Sequence, residues 1–237
     1  MEALDVTTMA RLVRDGDMSA RSVVEGCLDR IEAGDAALNT FVHLDRDGAL
    51  QAADRVDAAR RAGDELGPLA GVPFGVKDLE DCAGMPTTRG SRWYAGQPPV
   101  EHDDIHVARF RAAGAIPLGK TATPEFGAWG YTASPLLGVT RNPWDPSRTP
   151  GGSSGGTAAA VSAGMIPFGT ASDGGGSIRG PGASCGLPGL KPTYGQVPTF
   201  GVTRHAQNAV NFALATTVSD TALLFDLAVW PDARDRT

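Results

Sequence analysis

GGSSGGTAAAVSAGMIPFGTASDGGGS, residues 151–177, runs from one glycine-serine cluster to another. Its middle reads as two elements in succession. TAAAVSAG is a short alanine-rich helix former closed by a glycine, and MIPFGTAS is an apolar run of strand length bounded by turn residues. Glycines and serines stand at both ends, where backbone turns and hydroxyls are needed together. A helix leading into a buried strand is the unit from which layered α/β folds are built.

The same alternation continues upstream. PLAGVPFGVKD predicts a buried strand that leads to Lys77. Asp103 or Asp104 can cap a helix running to Ala113, Gly114 stops it, and Ala115 to Leu118 forms the next strand. Near the N-terminus, SARSVVEGCLDRIEAG spaces Val24, Cys27, Leu28 and Ile31 at i, i+3, i+4, i+7, which predicts a helix stopped by Gly34. A second helix is expected over residues 47–62, ended by Gly63, and a last amphipathic one from near Ser219 with Ala222, Leu223 and Leu227 on its buried face. The expectation is an α/β fold with a mixed, largely parallel sheet flanked by helices. It forms one domain over residues 1–237, with a helical N-terminal segment, about residues 1–65, packed on it.

At 237 residues and 41% hydrophobic, the chain can bury a core of that size. A net charge of −6 with interspersed signs leaves no electrostatic footprint for nucleic acid or an anionic membrane, so neither is expected as a partner. Cys27, Cys82 and Cys185 are odd in number and far apart, which reads as reduced thiols. The opening MEALDVTTMARLVRDGDMS lacks the basic flank and apolar run of a secretory leader, and no window approaches the ~18 apolar residues of a membrane span. A cytoplasmic location is the expectation.

Three short motifs match patterns whose mechanism they do not serve. GAIPLGKT, residues 114–121, spells a phosphate loop, but its variable positions are the predicted strand itself and no helix follows. HDDIH places His102 and His106 at i, i+4, but with Asp in place of the metalloprotease Glu and at a helix start, where capping and surface polarity explain it. GGSSG also fits a nucleophile elbow, from which a triad of Ser153, Asp173 and His205 can be drawn. Pro143, Pro146 and Pro150 argue against the strand an elbow needs before its serine. An esterase of that type stays open as an alternative.

A second glycine-serine cluster, SDGGGSIRG at residues 172–180, follows the predicted strand. Consecutive glycines there present backbone N–H groups unobstructed by Cβ atoms, a nest suited to an oxyanion. Lys77 ends a neighbouring buried strand, where desolvation can lower its proton affinity toward neutrality and make it a base for a serine.

At this point GVPFGVKDLEDCAGMPTTRGS, GKTATPEFG, NPWDPSRTPGGSSGGTAAAVSAGM and ASDGGGSIRGPGASCGLPGLKPTYGQVP together resemble the amidase signature family, serine hydrolases of carbon–nitrogen amide bonds. The resemblance runs through essentially the whole chain. It implies that Lys77 is the base, Ser153 a bridging serine after a cis peptide at Gly152, and Ser177, twenty-four residues on, the acyl-accepting nucleophile. It implies an oxyanion hole from Gly174, Gly175, Gly176 and the Ser177 N–H, with Ser154, Asp173 and Arg179 in support. A small-molecule amide, linear or cyclic, would be the substrate, with no metal and no cofactor.

ASDGGGSIR is more similar to bacterial amidases, including hydrolases of cyclic aminohexanoate dimers, than to the A-type component of tRNA-dependent amidotransferases, which usually carries Thr in that loop. That component remains an alternative. Gly180 and Ser184 depart from the bulky apolar residue and Phe usual in the family, which predicts a looser site or a wider acyl pocket. Family members also continue well beyond the point matching Thr237. Ending there would leave a sheet edge and an apolar face uncovered, favouring poor solubility, a homodimer or a missing partner, and a non-catalytic truncated relative is the further alternative.

Overall fold

The computed structural model describes residues 5–199 and 208–235. In chain order the elements are α1 (Val6–Asp15), α2 (Ala20–Leu38), β1 (Phe41–Leu44), α3 (Arg46–Ala62), β2 (Pro73–Lys77), α4 (Ile105–Ala112), β3 (Ile116–Thr121), β4 (Ala133–Ser134), β5 (Gly138–Val139), α5 (Gly155–Ser162), β6 (Phe168–Asp173), α6 (Arg179–Cys185), β7 (Val210–Ala215) and α7 (Val218–Ala228). Five strands form one sheet in the order β1-β3-β2-β6-β7, and β4 pairs with β5 apart from it. The central three, β3, β2 and β6, run parallel, while β1 and β7 flank them antiparallel. The α/β expectation of a mixed, largely parallel sheet therefore holds.

Helices cover both faces of this sheet, and the strand sequences show why. Successive strand residues point to opposite faces. Phe168 of β6 stacks on Phe74 of β2 at 5.0 Å, and Phe110 of α4 meets both rings edge-on. The next residue, Gly169, would carry a Cβ only 2.8 Å from Thr157 of α5, so α5 lies against the other face. Each of the three phenylalanines is fully buried, a contribution of about 1.5–3 kcal/mol apiece from area alone.

Buried carboxylates hold the N-terminal helices, one within that segment and one from α7. Asp57 of α3 accepts from the Ala20 and Arg21 N–H groups at 2.7 and 3.1 Å, satisfying orphan donors at the start of α2. Asp220 of α7 does the same for Val6 and Thr7 at the start of α1, at 3.2 and 3.0 Å. That bond also corrects the face read for the last helix. α7 buries Asp220, Thr221, Leu224 and Ala228, whereas Ala222 is exposed and Leu223 and Leu227 are half-buried.

Other expectations also shift. Gly34 does not stop its helix: α2 runs on to Leu38 and ends at Asn39 in the left-handed region, φ 54°. A Cβ at Gly34 would lie 2.7 Å from the Met165 side chain, so this glycine answers a packing demand. Gly63 does end α3 with φ 83°. Asp104 precedes α4 without a side-chain cap bond, because its carboxylate accepts from the Asp81 N–H at 3.0 Å. Gly119, Lys120 and Thr121 of the phosphate-loop match lie inside β3. The cysteines are free and buried, and burial pushes Cys27 and Cys82 up to about 11 and Cys185 up to about 12.

The edge strand β7 is itself packed by α5 and α7, and all its residues but Asn211 are buried. Among the described residues, the exposed large apolar side chains are scattered: Trp129 and Trp144 lie in loops, Trp230 just after α7, and Leu44, Val139 and Val218 on β1, β5 and α7. No helix among the described residues is long and apolar enough to cross a membrane.

Candidate active site

The carboxyl ends of adjacent parallel strands β2 and β6 bring the candidate residues together, the place where open α/β sheets put their ligands. Lys77 is the last residue of β2 and is fully buried. Its N–H donates to Thr170 Oγ1 at 2.9 Å, pinning the strand end to β6. Its Nζ donates to Ser153 Oγ at 2.8 Å, Ser154 Oγ at 2.8 Å and Ser172 Oγ at 2.9 Å. Three oxygens thus meet the three donors of an ammonium, and none of them carries a charge. Burial lowers Lys77 to about 8, against the opposing pull of Glu80 and Asp173.

The serines at 153 and 154 arrive on a segment held by its neighbours. The Gly152–Ser153 peptide is cis, as the resemblance implies. A Cβ at Gly152 would lie 2.6 Å from both the Trp129 carbonyl oxygen and the Tyr131 nitrogen, so only glycine allows that loop to lie on the turn. Thr132 Oγ1 donates to the Gly151 carbonyl at 2.9 Å. Upstream, the proline-rich residues 142–150 form a strap: Asn142 Nδ2 donates to the Ser184 carbonyl at 2.8 Å and Trp144 Nε1 to that of Cys185 at 2.9 Å. The strap fastens the serine turn to the end of α6. No strand precedes Ser153, so the strand-to-helix elbow does not form, and His205 lies outside the described residues.

Asp173, the last residue of β6, organises the second cluster. Its buried carboxylate accepts from the N–H groups of Gly176 at 2.7 Å, Ile178 at 3.2 Å and Arg179 at 3.3 Å. Arg179 adds Nε at 2.8 Å and Nη2 at 2.9 Å. Desolvation alone would raise this acid, but the Arg179 side chain and these amides outweigh it and hold Asp173 at about 2. Gly176 takes φ 116°, a region that L side chains rarely adopt.

Ser177 sits half-buried after this turn. Ser177, Ser153, Ser172, Gly174 and Gly175 line one cavity of about 160 Å³. Of the four N–H groups expected to form an oxyanion hole, that of Gly176 donates to Asp173. Among the described residues, the Gly174, Gly175 and Ser177 N–H groups have no partner. α6 forms despite Gly180, where an added Cβ would meet nothing within 4 Å.

The structure thus gathers Lys77, Ser153, Ser154, Asp173, Ser177 and Arg179 in one place and adds Ser172 and Thr170, which sequence reasoning missed. HDDIH separates: His102 is exposed, whereas His106, buried inside α4, meets Glu80 at 3.0 Å, so surface polarity does not describe it.

Known proteins fit this geometry. The amidase family model matches residues 22–237. The glutamyl-tRNA(Gln) amidotransferase A-type component from Salinispora arenicola is 46% identical over all of this chain and 48% of its own length, and that of Chloroflexus aurantiacus 43% over 99% and 48%. Among solved structures, the native peptide amidase of Stenotrophomonas maltophilia has TM-score 0.91 at 32% identity, covering 99% of this chain and 49% of its own. A 6-aminohexanoate cyclic dimer hydrolase has 0.90 at 32%, covering 99% and 48%. The chain spans about half the length of the curated relatives it matches. With a family match over nearly its whole length and the lysine-serine cluster where strands β2 and β6 end, the chain belongs to the amidase signature family.

Proposed function

We propose that this chain cleaves a carboxamide C–N bond through a serine acyl-enzyme. Ser177 Oγ attacks the carbonyl carbon and its proton passes to Ser153, whose own proton moves to neutral Lys77 Nζ. The carbonyl π electrons collect on oxygen, stabilised by the N–H groups of Gly174, Gly175 and Ser177. As the tetrahedral adduct collapses, the C–N bond breaks and Ser153 protonates the departing amine, refilled from Lys77. Water then releases the acid by the same relay, with the proton flow repeated. Asp173 and Arg179 hold the glycine turn in place.

The observation that carries this reading is the 2.8 Å contact of a buried, weakly basic Lys77 with Ser153, a residue that lines the same cavity as Ser177. The test is a fluorophosphonate probe on the purified chain, with the adduct mapped by mass spectrometry. Labelling of Ser177 that disappears in Lys77→Ala supports the relay. Labelling of Ser153, or none at all on well-folded protein, refutes it, and the second outcome favours a non-catalytic relative.

A second reading rests on the relatives at 43–46% identity, which are named as A-type components of an amidotransferase. In that case the same chemistry would release ammonia for transfer within an assembly that handles tRNA, against the partner expectation drawn from charge alone. The GGGS loop favours the free hydrolases, whereas identity over the chain favours the amidotransferase. Ammonia release from glutamine without turnover of aryl or cyclic amides would select the amidotransferase; the reverse would select the hydrolase.

A further inference from the structure

Next to Lys77 in the chain begins a buried ionisable network that the relay does not use. Glu80 follows Lys77 in a turn closed by its own N–H donating to the Lys77 carbonyl at 2.9 Å. Its carbonyl accepts from Lys120 Nζ at 2.6 Å, and its carboxylate Oε2 meets His106 Nε2 at 3.0 Å. Glu80 is 2% exposed and His106 1%. Thr170 also helps hold the Glu80 carboxylate ionised, while among the described residues His106 Nδ1 has no hydrogen-bond partner. A buried ion pair costs stability relative to apolar residues of the same shape, so its presence calls for a use.

The use is electrostatic. Glu80 and His106 come from different elements, the turn after β2 and helix α4, and α4 is locked to the sheet by Phe110 on Phe74 and Phe168. The carboxylate is therefore fixed relative to the end of β2. We propose that Glu80 is a positioning residue for the base, a carboxylate kept ionised by His106 that sets the pH at which Lys77 gives up its proton. This rests on the reading of Lys77 as the base.

Burial drives Lys77 toward neutrality, and the Glu80 charge pulls in the opposite direction. Burial opposes ionisation of the pair itself, but mutual attraction wins: Glu80 is held below the usual carboxylate range and His106 above the usual imidazole range. The other charged groups facing this cluster are Asp173 on β6, Lys120 on β3, Asp78 and Asp81 in the turn, and Asp104 and Arg109 on either side of His106. Asp173 is neutralised by Arg179 and Asp78 is engaged by Thr88, Gly90 and Lys120. Of the two acids that pull on Lys77, Glu80 is the one whose carboxylate meets a titratable side chain, His106.

The experiment follows the rate of fluorophosphonate labelling at Ser177 against pH in the unmodified chain, Glu80→Gln and Glu80→Asp. With the charge removed and the shape kept, Glu80→Gln moves the midpoint of the rising limb to lower pH by about one unit, the scale on which one buried charge moves a neighbour. Glu80→Asp restores it most of the way. A merely structural role would lower the rate in both variants with the midpoint unmoved, and that result overturns the proposal. Lys77→Ala separates the two layers: if Ser177 still labels, the base assignment has failed; if labelling is lost but Glu80→Gln does not shift the midpoint, only the Glu80 role has. Should Glu80→Gln not fold, the His106 Cε1–H proton shift in the unmodified chain decides. A cationic ring persisting above the ordinary imidazole range is expected, and a neutral ring at pH 7 overturns the pair.

Discussion

Lys77 and Lys120 stand near the carboxyl ends of adjacent parallel strands, and both are fully buried, yet their surroundings differ in kind. Around Lys77 Nζ are three serine hydroxyls, which can accept a proton and pass one on. Around Lys120 Nζ are the Glu80 carbonyl at 2.6 Å, the Thr87 hydroxyl at 2.8 Å and the Asp78 carboxylate at 3.9 Å. A carbonyl can only accept, and a carboxylate favours the ammonium. Burial lowers the proton affinity of both amines, so desolvation does not distinguish a base from a strut. The neighbours do: Lys77 meets Ser153 and Ser172, which line the cavity, whereas the partners named for Lys120 do not.

Breaking the two lysines separately should therefore have unlike effects. Lys77→Ala is expected to slow Ser177 labelling about 1,000-fold or more, the range of a lost general base, measured by probe kinetics on protein with an unchanged circular dichroism spectrum. Lys120→Met should lower unfolding stability by about 3 kcal/mol in urea titration, because the buried Glu80 carbonyl and Asp78 lose a charged donor, while folded protein still labels at Ser177. Loss of labelling in Lys120→Met would erase the distinction.

Smaller changes sharpen it. Ser172→Ala takes one oxygen from Lys77 and should slow labelling about 5-fold, the equivalent of ~1 kcal/mol. Arg179→Gln weakens the hold on Asp173 and should cost little stability near neutral pH, since the guanidinium is half exposed and screened by solvent. Its pH dependence has a definite sign: Asp173 is depressed in the folded chain, so its stabilisation is complete above the ordinary carboxylate range and fades as pH falls toward about 2. In acid titration of stability the variant should keep most of that slope, because the Gly176, Ile178 and Arg179 N–H groups still meet the carboxylate; its complete loss would show that the guanidinium alone holds Asp173.

How much of this is legible in the sequence depends on how local the signal is. The strand-helix-strand order and the positions of Lys77, Ser153, Asp173 and Ser177 are written in short contiguous runs, so they can be read. α1 escapes that reading although its buried residues Val6, Met9, Ala10 and Val13 keep helical spacing behind an Asp5 cap. β1 is only four residues long with an irregular register, too little for a periodic signal. Gly34 reads as a stop because its partner, Met165, is distant in sequence. Ser172 gives no sign of reaching Lys77 until β2 and β6 are adjacent, and the Glu80–His106 pair exists only once α4 docks. Long-range pairs of this kind have no local grammar.

The linkage for Lys77 has the same slope as that for Asp173 but the opposite effect on stability. Its folded-state affinity is below the ordinary lysine value, so the unfolded chain binds the extra proton between about pH 8 and the usual range, and stability rises with pH across that window. Near neutral pH the Lys77 shift therefore costs stability, whereas the Asp173 shift supplies it. The charge state itself can be watched, because the chain contains three lysines, Lys77, Lys120 and Lys191. The most direct measurement is the pH titration of their Nζ nitrogen shifts in lysine-labelled protein, assigned by Lys77→Ala and Lys120→Met. Lys77 should lose its proton near pH 8. A Lys77 that stays cationic up to the ordinary lysine range would contradict the claim that its surroundings make it the base.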